Sequence, residues 1–201
     1  MKINPRRPYF NSLAAEWDCI PAAPDSAGRI STFLKRSQRA GARRVLDVGC
    51  GTGILVPELL NLHGSATCLV EFDLAEEMLR VNSTKFPAAS IGRVCADAQA
   101  MPFSDACFDL AVCFSALPHM PDKSTALRQI LRILRPGGVI CVGHLMGSSE
   151  LNAFHGSLEG PVRVDFLPPA AVVAQMLKDL GTVEIEAEEN PDWYFVRAEK
   201  L

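Results

Sequence analysis

The sequence predicts an α/β domain in which a mostly parallel sheet carries helices on both faces. Two observations predict this fold. From residue 43 onward, short apolar runs alternate with amphipathic helical segments, which is the order of elements in a doubly wound sheet. Most of these runs are continuously apolar rather than alternating, as in strands that are buried on both faces. With 201 residues, of which 48% are hydrophobic, the chain has enough apolar material for one such core.

The individual elements follow from the spacing of apolar residues. The predicted strands are residues 44–48, 66–72, 91–96, 108–114, 139–142, 183–187 and 193–198. The predicted helices are residues 9–17, 26–38, 54–62, 75–85, 124–134 and 169–180. Proline and paired glycines predict a turn at 135–138, and residues 146–167 are predicted to be rich in loops. The short polar segment 189–192 predicts that the last two strands pair as an antiparallel hairpin.

Composition and charge argue against several classes of protein. The net charge of −3 does not favour a nucleic-acid partner, which needs a concentrated basic surface. No run reaches the roughly eighteen apolar residues of a membrane span, and residues 1–10 have no apolar run behind them to make a secretory signal. Seven cysteines without CxxC spacing predict free thiols in a reducing compartment. We therefore expect a cytoplasmic monomer or homodimer that binds neither nucleic acid nor membrane.

A glycine-rich turn follows the first predicted strand. The segment VLDVGCGTG at 45–53 places Gly49, Gly51 and Gly53 at alternate positions, with Asp47 two residues before the first glycine. Glycine lets a ligand approach the backbone closely, and the carboxyl end of the first strand is where open α/β sheets bind nucleotide-like ligands. The spacing is GxGxG, whereas dinucleotide-binding loops have GxGxxG. Asp47 would repel a pyrophosphate and attract a cation.

Further acids follow the next two predicted strands. Glu71 and Asp73 end the second strand about twenty residues beyond the loop, where a carboxylate accepts hydrogen bonds from ribose hydroxyls. Asp97 follows the third strand, where a carboxylate is placed to accept from an adenine amino group. A ribose, an adenine and a positively charged head without phosphate describe S-adenosylmethionine. Two alternatives remain open: Asp97 as a helix cap or turn acid, and Glu71 as a solvated acid.

Four motifs in register resemble the class I S-adenosylmethionine-dependent methyltransferases. They are VLDVGCGTG at 45–53, VEFDLAEEML at 70–79, ADAQAMPFSDACFDLAVC at 96–113 and LRPGGVI at 134–140. The resemblance implies a Rossmann-like, seven-stranded, mostly parallel sheet with an antiparallel last strand and helices on both faces. It also implies that S-adenosylmethionine is the cofactor and S-adenosylhomocysteine the product.

The resemblance assigns expected roles to individual residues. Asp47, Gly49 and Gly51 would contact the amino-acid end of the cofactor, and Ser115 would lie near its methionine portion. Asp73 would bind the ribose, with Glu71 as the alternative, and Asp97 and Ala98 would bind the adenine edge. The remaining expected cofactor-binding positions are Gly53 and Leu74. We expect one domain over 1–201, with a helical lid at 1–40, a cofactor-binding core at 41–145, an acceptor-side insertion at 146–168, and a C-terminal helix and hairpin at 169–201.

The acceptor pocket is expected beyond the fourth and fifth strands, under the N-terminal helix. Segment 9–18 resembles the aromatic lid helix of small-molecule methyltransferases, including quinone-ring enzymes, and it supplies the acceptor-contact candidates Tyr9, Phe10 and Trp17. Phe154 is a fourth candidate. These aromatic residues predict a small and fairly apolar acceptor.

The candidate catalytic residues are the three histidines of this region. For His119 we favour packing or helix capping over catalysis, whereas His144 and His155 are weighed equally as acceptor contacts or bases and as solvated loop residues. Because His144, Glu150 and His155 match no known metal-ligand spacing, we expect no metal site.

Three other functions compete with this interpretation. A nicotinamide or flavin oxidoreductase is disfavoured by the GxGxG spacing and by Asp47. A non-catalytic S-adenosylmethionine-binding protein stays open, because methyl transfer needs no fixed catalytic residue. A protein or RNA methyltransferase is disfavoured because no NPPY-like motif follows the fourth strand, where residues 113–116 read CFSA.

Overall fold

The computed structural model describes residues 4–21, 25–64, 67–88 and 90–201. Its strands are β1 (Arg44–Val48), β2 (Cys68–Asp73), β3 (Ile91–Cys95), β4 (Phe108–Phe114), β5 (Leu134–His144), β6 (Thr182–Asn190) and β7 (Trp193–Lys200). Its helices are α1 (Arg6–Leu13), α2 (Ser26–Ser37), α3 (Val56–His63), α4 (Glu76–Lys85), α5 (Lys123–Ile133), α6 (Ser148–Ser157) and α7 (Ala170–Asp179). Short 3₁₀ turns lie at Trp17–Cys19, Ala98–Ala100, Leu117–His119 and Pro161–Val164.

The seven strands form one sheet in the order β3-β2-β1-β4-β5-β7-β6. Neighbouring strands from β3 to β5 are parallel, while β7 runs antiparallel between β5 and β6. The predicted seven-stranded sheet with an antiparallel last strand is confirmed. After β3 the chain crosses β2 and β1 to place β4 on the other side of β1. The connections that leave β1 and β4 therefore diverge and open a crevice at the carboxyl ends of these strands.

The central strands are buried on both faces of the sheet. In β1, Leu46 packs with the cluster that includes Leu127 of α5, whereas Val45 packs on the opposite side with the cluster that includes Phe33 of α2. All seven residues of β4 are buried. This two-sided burial explains why these runs are continuously apolar in the sequence. No helix within the described ranges is long and apolar enough to cross a membrane.

The fifth strand begins earlier than predicted. The expected turn at 135–138 lies inside β5 as a bulge, because Leu134 already pairs with Phe108 of β4 and Val139 pairs with Leu110. Helix α5 does end just before it, at Ile133. Gly137 has φ of 71°, a conformation that glycine adopts without strain, so the strand can contain the bulge and continue.

The stretch predicted to be rich in loops contains helix α6, so that part of the prediction is wrong. One carboxylate on the C-terminal hairpin explains the difference. Glu189 accepts the N–H of Ser148 at 2.6 Å and the N–H of Ala170 at 2.7 Å, and so caps the first turns of both α6 and α7. Because Glu189 is 41 residues from Ser148, the sequence around α6 gives no indication of this cap. The hairpin itself is confirmed, with Pro191 and Asp192 between its paired strand ends.

A buried carboxylate on β4 joins the start of β1 to the bulge of β5. Asp109 is 1% exposed, and its Oδ2 accepts the N–H of Arg43 at 2.7 Å and of Arg44 at 2.9 Å. Its other oxygen forms an ion pair with Arg135. Because these partners belong to two other segments of the sheet, Asp109 on β4 contributes to the relative position of all three.

We predict that Asp109→Ala lowers the free energy of unfolding by about 2–4 kcal/mol, because it removes a buried carboxylate that accepts two backbone N–H groups and pairs with Arg135. Urea unfolding followed by circular dichroism measures the change. Asp105→Ala is the matched control: that side chain is 76% exposed and pairs with Arg132 at the surface, so we expect a loss below about 1 kcal/mol. Equal losses in the two variants would contradict the structural role of Asp109.

Candidate active site

A cavity of about 700 Å³, its open mouth included, lies at the carboxyl ends of β1, β2 and β4. Residues that follow or end these strands form its floor, and residues from the N-terminus form its roof. The lining residues are Asn4, Arg6, Phe10, Trp17, Val48, Gly49, Gly51, Phe72, Asp73, Leu74, Met78, Ala96, Asp97, Ala98, Ser115, Ala116, His119, Met120 and Pro121. The cavity therefore occupies the crevice that the strand order opens, which is the expected ligand position in this class of sheet.

The three loop glycines all have positive φ, but different neighbours surround them. A Cβ on Gly49 would lie 2.3 Å from the Cβ of Ala116, and one on Gly53 would lie 2.6 Å from Nδ2 of Asn82. A Cβ on Gly51 would meet nothing closer than the indole nitrogen of Trp17 at 3.9 Å. Gly49 and Gly51 line the cavity, whereas Gly53 packs against α4 and lies outside the lining.

Two buried carboxylates lie side by side beneath the loop. Asp47 and Glu71 are register partners on β1 and β2, and they are 1% and 0% exposed. Among the residues that the structure describes, none donates a hydrogen bond to Oδ2 of Asp47, while Oε2 of Glu71 accepts from Asn82 at 2.7 Å. Burial and the nearby negative charges of Glu71 and Asp73 raise the pKa of Asp47 well above its usual range.

The structure contradicts the expectation that Glu71 is a solvated acid. Burial raises its pKa to about 7, against the opposing effect of the hydrogen bond from Asn82. Glu71 does not line the cavity, so it sits beneath the site rather than in its wall. Arg93, the register partner of Glu71 on β3, offsets part of its charge, and a cluster of carboxylates at this place attracts a cation and repels phosphate.

Asp73 lies in the cavity wall and binds two segments of backbone. Its Oδ2 accepts the N–H of Gly51 at 2.9 Å and its Oδ1 accepts the N–H of Ala75 at 2.8 Å. Burial raises its pKa, and these backbone hydrogen bonds oppose the rise. Each carboxylate oxygen has a second lone pair that these bonds leave unused.

The other expected cofactor positions lie along the same wall. Asp97 caps the 3₁₀ turn at 98–100 by accepting the N–H of Gln99 at 2.9 Å, as the cap alternative foresaw, and it lines the cavity as well. Leu74 and Ala98 line the cavity with it. Ser115 follows β4 in the left-handed conformation with φ of 54°, and its N–H donates to the carbonyl of Gly143 at 2.8 Å. Such a conformation at a non-glycine residue is common at functional sites.

The N-terminal cover of the cavity consists of α1 and the 3₁₀ turn Trp17–Cys19. Phe10 and Trp17 line the cavity with ring centroids 5.8 Å apart. Asp18 fixes the cover to the glycine loop and to α4, because its carboxylate accepts from Thr52 at 2.6 Å and pairs with Lys85 at 2.7 Å. Where a helix is predicted at 9–17, the structure has α1, which ends at Leu13, and then the separate turn Trp17–Cys19.

Two of the expected acceptor contacts lie away from the cavity lining. Tyr9 is half-buried against Phe10 and near Gly160. Phe154 is 50% exposed on α6, with its ring 6.1 Å from that of His155. Both belong to elements that border the cavity region, but neither side chain lines it.

The three candidate histidines occupy different environments. His119 lines the cavity, with its ring 4.9 Å from that of Phe10, and its Nδ1 lies 2.5 Å from Oδ2 of Asp165. His144 and His155 do not line the cavity. The geometry thus reverses the order that the sequence favoured, since His119 is the histidine in the cavity wall.

Burial accounts for the state of the other two histidines. Burial, together with the charges of His119 and His155, lowers the pKa of His144 to about 4, and its Nδ1 accepts the N–H of Met146 at 2.9 Å. Burial also lowers the pKa of His155, whose Nδ1 lies 3.3 Å from the carbonyl oxygen of Asp165. Both are therefore neutral at pH 7.

Sequence reasoning missed the polar residues contributed by distant segments. Asn4 and Arg6 line the cavity, and Arg6 donates through Nε to Oδ1 of Asp165 at 2.7 Å and also forms an ion pair with it. The side chain of Asp165 is 0% exposed. Hydrogen bonds from His119 and Arg6 hold its pKa below the ordinary value although burial alone would raise it. No local motif marks these residues, because their partners are up to 159 positions away.

The buried acid pair generates a prediction about pH. Because the folded protein raises the pKa of Glu71 from 4.5 to about 7, its ionisation destabilises the fold as pH rises from about 4.5 to 7. We predict that Glu71→Gln removes this loss, since glutamine still accepts from Asn82 and carries no charge. Relative to wild type, the variant should gain about 1–3 kcal/mol more stability at pH 8 than at pH 5.

Urea unfolding of both proteins at the two pH values tests this expectation. Glu159→Gln serves as the control, because Glu159 is exposed and should show the same small difference at both pH values. If the effect of Glu71→Gln were also independent of pH, Glu71 would not be the titrating group.

Comparisons with known proteins agree with this geometry. A family model described as a methyltransferase domain matches residues 46–142. An O-methyltransferase, resE of Aspergillus sclerotiorum, is 35% identical over 134 residues, which are 63% of this chain and 51% of the relative. The ubiquinone/menaquinone biosynthesis C-methyltransferase UbiE of Shewanella oneidensis is 34% identical over 142 residues, which are 66% of this chain and 56% of the relative. The chain thus spans about half the length of these curated relatives.

A solved structure extends the similarity to the whole chain. Phosphoethanolamine N-methyltransferase 2 of Haemonchus contortus superposes with a TM-score of 0.78 over 100% of this chain and 60% of that one. At 19% identity, this similarity concerns the fold. The match over residues 46–142 and the shared fold identify a methyltransferase domain of the Rossmann-like type in this chain.

Proposed function

We propose that this chain transfers a methyl group from S-adenosylmethionine to a small, fairly apolar acceptor. The observation that carries the proposal is the group of acids beneath and beside the glycine loop. Asp47, Glu71 and Asp73 crowd the glycine loop, and the free oxygen of Asp47 lies buried two residues before Gly49 of the cavity wall. A buried carboxylate oxygen without a partner favours a cationic ligand and disfavours a phosphate.

The cavity residues fit the other parts of S-adenosylmethionine. The open space at Gly51 admits a ligand against the loop backbone, and Asp73 retains free lone pairs for hydroxyl donors. Leu74, Ala98 and Met120 give the wall beside Asp97 an apolar character suited to an adenine ring. When bound, the cofactor supplies a methyl group that is electrophilic because it is attached to a sulfonium. Gly53 and Glu71 do not line the cavity, and they would act indirectly, by holding the glycine loop and β2 against α4.

We assign the acceptor to the part of the cavity between the N-terminal cover and His119. Phe10 and Trp17 give this part aromatic walls, which favour a small apolar or aromatic molecule. Closure by the cover excludes water and aligns the acceptor, which is most of what methyl transfer demands of a protein. His119 would serve as the base where the acceptor must lose a proton, with His144 and His155 as neutral neighbours. Relatives that are an O-methyltransferase and a C-methyltransferase support such acceptors.

Calorimetric titration with S-adenosylmethionine, S-adenosylhomocysteine and NAD tests the cofactor. We expect saturable binding of the first two and none of NAD. Asp73→Asn should weaken binding by about 1–3 kcal/mol, since it removes a charged acceptor, whereas the exposed Asp192→Asn should bind like wild type.

Each contrary outcome of the titration has a distinct meaning. Binding of NAD alone would overturn the proposal. Unchanged binding by Asp73→Asn would remove the ribose role from Asp73. Binding without methyl transfer to any acceptor would favour a non-catalytic S-adenosylmethionine-binding protein.

The role of His119 has a separate test. We predict that His119→Gln lowers methyl transfer to hydroxylated aromatic acceptors by about 10²–10⁴-fold and leaves cofactor affinity unchanged, because it removes a base. Transfer of a labelled methyl group from S-adenosylmethionine measures the rate. His63→Gln, at the end of α3, is the control and should keep full activity. A matching loss of cofactor binding or of thermal stability would instead indicate that His119 serves packing.

A further inference from the structure

Asp165 contacts three other segments, two through its carboxylate and one through its backbone oxygen. Its Oδ1 accepts from Arg6 of α1 at 2.7 Å, and its Oδ2 lies 2.5 Å from Nδ1 of His119. Its backbone oxygen lies 3.3 Å from Nδ1 of His155 of α6. The side chain is fully buried, whereas those of Arg6 and His119 keep 11% and 22% exposure at the cavity. The carboxylate is therefore placed behind two residues that line the cavity.

This arrangement decides which nitrogen of His119 carries the proton. Asp165 is ionised, so it only accepts hydrogen bonds, and Nδ1 of His119 must donate. In a neutral imidazole the other nitrogen, Nε2, is then the free acceptor. Within the described part of the chain, Nε2 makes no hydrogen bond, so its lone pair remains available.

We propose that Asp165 and Arg6 are positioning residues, which hold His119 with Nδ1 protonated and Nε2 free to act as a base. The proposal rests on the function proposed above for its consequence in catalysis, but the tautomer itself does not depend on any acceptor. Arg6 occupies Oδ1 and directs Oδ2 to His119. Because Arg6 belongs to α1, the base is prepared when the N-terminal cover is in place over the cavity.

The charges in this group also suit the reaction. Asp165 and Arg6 neutralise each other while His119 is neutral. When Nε2 accepts the proton from the acceptor's hydroxyl or N–H, the oxygen or nitrogen of the acceptor bonds to the methyl carbon and the electron pair of the broken carbon–sulfur bond goes to sulfur. The positive charge that His119 gains lies against the carboxylate of Asp165, which stabilises it.

Nuclear magnetic resonance of the full chain with ¹⁵N-labelled histidine measures the tautomer directly, since long-range couplings report which ring nitrogen is protonated. The chain has four histidines, and His119→Gln identifies the signals of His119 by their absence. At a pH where the ring is neutral, we expect the wild-type protein to show Nδ1–H. Asp165→Asn and Arg6→Gln should each lose this single form, and the matched control Arg7→Gln, whose side chain pairs with Glu76 at the surface, should keep it.

The outcomes separate this proposal from the proposed function. Nε2–H in the wild-type protein, or no change in both Asp165→Asn and Arg6→Gln, would overturn it. A change in Asp165→Asn without one in Arg6→Gln would remove Arg6 and the N-terminal cover from the mechanism. The expected tautomers without methyl transfer to any acceptor would uphold the geometry and reject the proposed function.

A rate measurement completes the test once an acceptor is found. Asp165→Asn should then lower methyl transfer by about 10–100-fold at saturating cofactor, with unchanged cofactor affinity. Should Asp165→Asn fail to fold, the tautomer of the wild-type protein still tests the role of Asp165. The comparison of Arg6→Gln with Arg7→Gln, two substitutions on the same N-terminal helix, then tests the role of Arg6.

Discussion

The carboxylate of Asp73 connects the parts from which the cavity is built. One of its oxygens holds the N–H of Gly51 in the loop after β1, and the other holds the N–H of Ala75 at the start of α4. The loop is fixed a second time by the carbonyl of Phe72, which accepts from Gly49 at 2.7 Å and from Cys50 at 3.1 Å. The end of β2 therefore determines the shape of the loop after β1. The position of the loop backbone, the opening at Gly51 and the entry of α4 all depend on these few hydrogen bonds.

The site combines a rigid floor with a roof that is attached at several points. The floor consists of strand ends and short turns whose backbone groups bond to one another within the buried sheet. The roof, formed by α1 and the turn at 17–19, is attached through polar side chains. Arg7 pairs with Glu76, Asn11 accepts the N–H of Glu77, and Asp18 contacts Thr52 and Lys85. Exposed ion pairs are weak individually, but the buried pair of Arg6 with Asp165 and the packing of Phe10 and Trp17 near Met78 also hold the roof.

Charge is distributed unevenly around the cavity. Below the glycine loop, Asp47 and Glu71 are buried side by side, and burial is the main cause of their raised pKa values. At the opposite side, Asp165 is buried with Arg6 and in contact with His119, and its pKa is lowered. A buried acid that lacks a partner suits a cationic ligand, whereas a paired acid suits the orientation of a neighbouring base. The two ends of the cavity thus support different tasks.

The sequence by itself determined the elements whose signals are local. Continuous apolar runs predicted the inner strands because both faces of β1 and β4 are buried, and alternating glycines predicted the loop because its backbone needs positive φ. The spacing of Asp73 and Asp97 after their strands predicted two residues of the cavity wall. Local spacing also suggested Gly53 and Glu71 as ligand-binding residues. It could not show that both pack against Asn82 of α4 instead of lining the cavity.

Tertiary structure decided what depends on contacts between distant residues. Helix α6 forms although its own sequence predicts loops, because Glu189 of the hairpin caps it. The choice among the histidines followed from the cavity wall, which contains His119, and the orienting residue Asp165 is 46 positions from His119 and 159 from Arg6. Glu71 is a buried acid whose Oε2 accepts a hydrogen bond from Asn82 of α4. In each case the free energy of a polar group depends on the partner that folding brings to it. The neighbouring residues in the sequence do not identify that partner.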